Sequence, residues 1–165
     1  MNDMSELLYL MAGMVLFSIL VSNSNIAFVR NNTMLMESEY EYNAIAIAQS
    51  IIDEARVKPY DQADVVNERL LIDNDMPNFS APSVLGPEGG ESYPNFDDFD
   101  DFDGLNITRT NGLGDFTITA TVTYINPNNL SVNTSVTTTK KELRVTVSHP
   151  NLPNTVTLTF LKTYY

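Results

Sequence analysis

The sequence contains no cysteine and no tryptophan, and it has a single histidine, His149. Without cysteine there is no disulfide, no thiolate metal site and no thiol nucleophile. With one histidine, any His-based dyad would rest on His149 alone. That residue sits between a strand pattern and Pro150, where it reads as a turn residue. No set of nucleophile, base and orienting group can be assembled from the motifs, so the expectation is a protein that is not an enzyme. Positive charge is also scarce. Nine Lys and Arg face 21 Asp and Glu, for a net charge of -12 over 165 residues. Nucleic acid is therefore excluded as a partner, because phosphate binding needs clustered Lys and Arg. Apolar residues make up 43% and charged residues 18%, a balance that excludes a disordered polyelectrolyte.

The charge that is present is segregated. Residues 7–21 carry none. Twelve acids and one base, Arg69, fall between Asp61 and Asp103, so this segment holds nearly all of the net charge. From Leu105 onward five bases outnumber two acids, Asp115 and Glu142. Three regions follow: 1–57, 58–104 and 105–165.

The first region predicts one nearly continuous helix from about residue 3 to 57, since no proline precedes Pro59. Such a helix is about 80 Å long at 1.5 Å per residue. Residues 1–30 form a hydrophobic stalk and 31–57 an amphipathic half. In the second half Tyr40, Ala44, Ile47, Ala48, Ile51 and Ala55 make one apolar stripe. The run Leu7–Val21 is short for a membrane span, which needs roughly 20 apolar residues. It resumes at Ile26–Val29 after Ser22, Asn23, Ser24 and Asn25. A secretory signal fits poorly, because Asp3 and Glu6 stand where basic residues belong. Ser and Asn compete for backbone hydrogen bonds, so the helix is expected to bend or melt locally around 22–33. A plain polar surface patch is the other reading of those residues.

Region 58–104 is irregular, with five prolines and the run VLGPEGGESYP. A short helix from about Gln62 to Leu71 fits its pattern. The last region alternates with period two. Phe116 to Tyr124, Leu143 to Val147 and Val156 to Phe160 each interleave apolar residues with Thr or Arg. A weaker strand, Leu105–Thr110, joins the first through the turn Asn111–Gly114. The expected fold class is α+β. A C-terminal antiparallel sheet of three or four strands would pack on the second half of the helix, leaving its first half protruding.

Several stretches together resemble the type IV pilins and the pseudopilins of type II secretion. One is the uncharged run after Glu6. Others are AQSIIDEARVKPYDQ (residues 48–62), FDDFDDFDG (96–104) and the strand-like KKELRVTVSHP and TVTLTFLKTYY. The similarity spans the chain, though the helix-breaking proline of that family is absent and Ser22–Asn25 stands in its place. The resemblance implies a structural subunit that assembles with copies of itself into a helical extracellular filament. It implies passage through a bacterial inner membrane and handling by a pilus or secretion machinery. A membrane-anchored cell-surface protein, or a pseudopilin with a ligand-binding β head, is the alternative. Assembly residues would be Glu6, Leu7, Leu10, Met14, Phe17 and Val21. Glu6 would pair with the terminal amine of a neighbouring subunit, because a buried carboxylate without a partner is costly. The plainer reading is an exposed acid at a helix N-terminus.

No cofactor is required by these patterns, but calcium is a possible ligand. Asp97, Asp98, Asp100, Asp101 and Asp103 offer clustered oxygens. Phe99 breaks the EF-hand spacing, so the favoured reading is a solvated acidic loop anchored by Phe96, Phe99 and Phe102. Asn31, Asn78, Asn106, Asn129 and Asn133 head Asn-x-Ser/Thr sequons, expected by chance in an Asn- and Thr-rich chain.

Overall fold

A computed structural model describes residues 3–62, 65 and 79–164. The elements are helix α1 (Asp3–Val57) and strands β1 (Asn106–Asn111), β2 (Gly114–Asn126), β3 (Asn129–Asn133), β4 (Lys140–Ser148) and β5 (Val156–Thr163). Among the described residues a 3-10 turn covers Asp100–Phe102. The sheet is antiparallel throughout, in the order β1-β2-β4-β5, with β3 paired to the end of β2. The class is α+β. The sheet has five strands rather than three or four, because Asn126–Asn133 is itself a small hairpin. All five residues of β3 are exposed, so no hydrophobic alternation marked it. The helix expected near Gln62–Leu71 lies, apart from Gln62 and Val65, outside the described residues.

The chain divides into two compact units, residues 1–39 and 40–165. In the second, α1 presents Tyr40, Ala44, Ala48, Ile51, Ile52 and Ala55 to the core. Opposite them lie Phe116, Ile118, Ala120 and Val122 of β2 and Leu143, Val145 and Val147 of β4. Ile47 is half-buried at the edge of the stripe and Ile52 joins it. Small residues at 44, 48 and 55 let the helix lie close to the sheet. Ala48→Leu should therefore overpack this layer and cost about 1–3 kcal/mol, read as a lower melting temperature with unchanged far-UV circular dichroism. A fall below a few tenths of a kcal/mol would mean that the layer is loose.

Pro59 stops α1, and a lysine from the last strand covers its end. Lys162 Nζ donates to the carbonyls of Ala55, Arg56 and Lys58. These belong to the carbonyls that a helix terminus leaves without an internal partner. The β1–β2 turn closes on Gly114 at φ 117°, a conformation that favours glycine. A side chain there would also meet the His149 ring. His149 stacks on Tyr40 and lies against Phe116, with ring centroids 4.6 Å away in each case. Its Nδ1 accepts the N–H of Asn151. His149 is thus a packing residue at a turn.

In the first unit every described residue is exposed, including all of Leu7–Val21. The α1 helix is long and apolar enough to cross a membrane. It runs unbroken through Ser22–Asn25 and Asn31–Thr33, so the expected melt is not present in the single chain. The penalty for Ser and Asn in a helix is only some tenths of a kcal/mol per residue. Propagation from long helical flanks outweighs it. Ser18, Thr33 and Ser38 return their hydroxyl protons to the carbonyls of Met14, Val29 and Met34. That satisfies each hydroxyl locally.

Candidate metal centre

Lys141 alternates with Leu143, Val145 and Val147 along β4, so it faces the core. It is fully buried. An ammonium there must be paired, and two carboxylates reach it: Asp61 at 2.7 Å and Asp100 at 2.6 Å. Its Nζ also donates to the Tyr60 carbonyl and lies 4.5 Å from the Tyr60 ring centroid and 5.2 Å from that of Tyr124. Asp61 in turn accepts the Ser80 N–H and hydroxyl. Burial pushes the Tyr124 phenol up, and it donates to the Ser80 carbonyl. This centre ties the exit of α1, strand β4 and the Asp-rich loop together.

The loop itself is not solvated. Phe96, Phe99 and Phe102 are buried in the core, in keeping with their reading as anchors, and they carry Asp98, Asp100 and Asp101 inside with them. Each aspartate has a distinct setting. Asp100 serves Lys141. Asp103 Oδ1 accepts the Val122 N–H at 2.7 Å and so fastens the loop to β2. Asp98 Oδ1 accepts the N–H groups of Asp100 and Asp101, and Asp101 Oδ2 accepts those of Asp97 and Asp98. These two reciprocal bridges curl the chain so that its carboxylates converge.

Two acids from the glycine-rich turn complete the cluster. Glu88, Asp98 and Asp101 bring carboxylate oxygens within 4.8 Å of one another, and so do Glu91, Asp97 and Asp101. Of the five calcium candidates read from the sequence, Asp97, Asp98 and Asp101 come together. Asp100 and Asp103 are turned to other tasks. Glu88 and Glu91 were not anticipated. Their only signal was the placing of two acids in the glycine-rich GPEGGE.

The electrostatics are those of excess negative charge held away from water. Burial pushes the Asp98 carboxyl up to about 8, with repulsion from Asp100 and Asp101 added and Lys141 pulling back. Burial also lifts Glu88 to about 7, and Asp101 and Asp100 add to it. Glu91 is raised by burial and by Asp101 and Asp97. Five carboxylates and no imidazole or thiolate make a hard, oxygen-only donor set.

The other sequence-derived sites lie in the first unit. Glu6, Leu7, Leu10, Met14, Phe17 and Val21 are exposed on α1, from 48% at Val21 to 68% at Phe17 among the apolar five. No described residue covers them. No family model, no curated protein and no solved structure matches the chain.

Proposed function

We propose that this protein is a structural, pilin-like subunit that assembles with copies of itself through the first part of α1. One observation carries the reading. Among the described residues, the part of α1 before Tyr40, which includes Leu7–Val21, has no buried residue, while the 40–165 unit has a hydrophobic core of its own. Burying a large apolar side chain contributes roughly 1.5–3 kcal/mol, so this surface has a strong drive towards lipid or towards other copies of the same helix. A membrane holds the subunit before assembly, and the bundled helices hold it afterwards. Passage to the cell surface by a pilus or secretion machinery belongs to the same reading.

A membrane-anchored monomer is the competing arrangement. Because the helix is intact across Ser22–Asn25, its backbone hydrogen bonds are satisfied in either environment. The side chains of Asn23 and Asn25 favour a bundle, where neighbouring helices can accept their hydrogen bonds.

Glu6 offers the sharpest test. Glu6→Gln keeps the shape and removes the charge. If its carboxylate pairs with a neighbour's terminal amine, the variant should form fewer filaments in negative-stain images of sheared surface material. Breaking a buried pair costs about 3–5 kcal/mol, and Gln recovers part of that by hydrogen bonding, so Glu6→Ala should be worse. Melting of the 40–165 unit should not change in either variant. Wild-type filament numbers from both would remove the electrostatic docking role.

A further inference from the structure

We infer that the loop Gly86–Asp103 is a calcium site, built by Glu88, Asp98 and Asp101 with Asp97 and Glu91 beside them. This inference does not rest on filament assembly, since every residue it uses lies in the 40–165 unit.

The clustering of acids would not be enough. What points to a cation is the state of individual oxygens. Asp98 and Asp101 are each 0% exposed. Each spends one carboxylate oxygen on two backbone N–H groups. The other oxygen of each, Asp98 Oδ2 and Asp101 Oδ1, is buried with no hydrogen-bond partner among the described residues. Asp97 Oδ1 and Glu88 Oε2 are buried and unpartnered in the same way. Native interiors rarely leave such atoms bare, and each exception calls for an explanation such as an ion. Four in one cluster call for one bound group that accepts several oxygens at once.

Among the described residues a side-chain cation does not fill the role. Among the described residues no Lys, Arg or His pairs with any of the five acids. Lys141 is committed to Asp61 and Asp100. Lys58 Nζ donates to the Phe96 carbonyl. A bound metal ion would meet these oxygens together, and a carboxylate-only set selects a hard one. Between the common hard cations, the number of carboxylates decides. Magnesium demands an octahedral shell, keeps several waters and uses one or two carboxylates. Calcium takes six to eight oxygens at 2.3–2.6 Å in a flexible arrangement that tolerates bidentate carboxylates. Two overlapping triads that share Asp101 suit calcium.

The ion would fasten the turn bearing Glu88 and Glu91 to the Asp97–Asp103 loop. It would offset repulsion next to the buried Lys141 centre, because Asp98 also holds the backbone of Asp100.

The test uses the full chain in detergent. Calcium titrated into chelator-treated protein by calorimetry should give saturable binding. At about one hundred times the dissociation constant it should raise the melting temperature by about 5–10 °C. Glutamate-specific proteolysis after Glu88 and Glu91 should slow in calcium. Asp98→Asn and Asp101→Asn should abolish the calcium-dependent shift, and Glu41→Gln, at an exposed helix position, should retain it. If an Asp variant does not fold, Glu88→Gln on the loop rim should still weaken binding by at least tenfold. Absence of calorimetric binding, or identical melting in calcium and chelator, would overturn the site. An equal shift with magnesium at the same concentration would overturn the assignment to calcium.

Discussion

If α1 has the assembly role proposed for it, removing residues 1–36 is expected to leave a soluble, folded monomer. A fragment starting at Glu37 keeps every core residue of the second unit, from Tyr40 onward. It begins with Glu37-Ser38-Glu39, acids that suit the positive end of a helix. It loses Leu7, Leu10, Met14, Phe17 and Val21, all of which are exposed in the single chain and contribute nothing to its core. The melting transition should therefore stay within about 1 kcal/mol of that of the parent in detergent. Self-association should vanish, because the apolar rod that needs covering is gone and each large side chain on it contributes roughly 1.5–3 kcal/mol when buried. Sedimentation of the fragment at increasing concentration checks this directly. A fragment that still forms fibres would place the assembly surface on the sheet or its loops, and the role given to α1 would be wrong.

The second large effect lies at Lys141. Lys141→Met keeps length and apolar bulk but leaves Asp61 and Asp100 facing each other without their cation. Breaking a buried pair in this way costs about 3–5 kcal/mol, which corresponds to a fall of about 10 °C or more in melting temperature for a chain of this size. The damage should be electrostatic and hence reversible by chemistry. Adding Asp61→Asn and Asp100→Asn to Lys141→Met removes both orphaned charges and should recover at least half of the loss. Chemical denaturation of the three proteins gives the comparison. A single variant as stable as the parent would mean that the ammonium is not needed in the core. A triple variant no better than the single would shift the weight to lost hydrogen bonds at the Tyr60 carbonyl and the Ser80 segment.

These two experiments probe different levels of organisation. The truncation asks what the exposed rod is for. The substitution asks what holds the helix exit, β4 and the Asp-rich loop in register. That register matters for the carboxylate cluster, since Asp98 fixes the backbone of Asp100 and Asp100 is anchored on Lys141.

Sequence alone determined the elements whose signal is periodic. The stripe Tyr40, Ala44, Ala48, Ile51 and Ala55 identified the helix face that meets the core. The alternation from Phe116 to Tyr124, and again along β4, identified which side of the sheet it meets. Hydrophobic burial is read one residue at a time at a fixed period, so it survives without coordinates. The three phenylalanines of the acidic loop were legible as anchors from their apolar bulk among the acids. Tertiary structure alone decided what those anchors imply. A segment with aspartates between buried rings cannot leave all of them in water, so Asp98, Asp100 and Asp101 went inside. Which aspartate of the loop pairs with Lys141, which holds Val122 and which meet Glu88 and Glu91 depends on contacts that follow no sequence period. Lys141 was half-legible: its place in the alternation put a lysine on the core face, but its partners Asp61 and Asp100 follow no sequence period. The intact helix at Ser22–Asn25 was also decided above the local level, by cooperative propagation from long flanks that weak propensities could not interrupt.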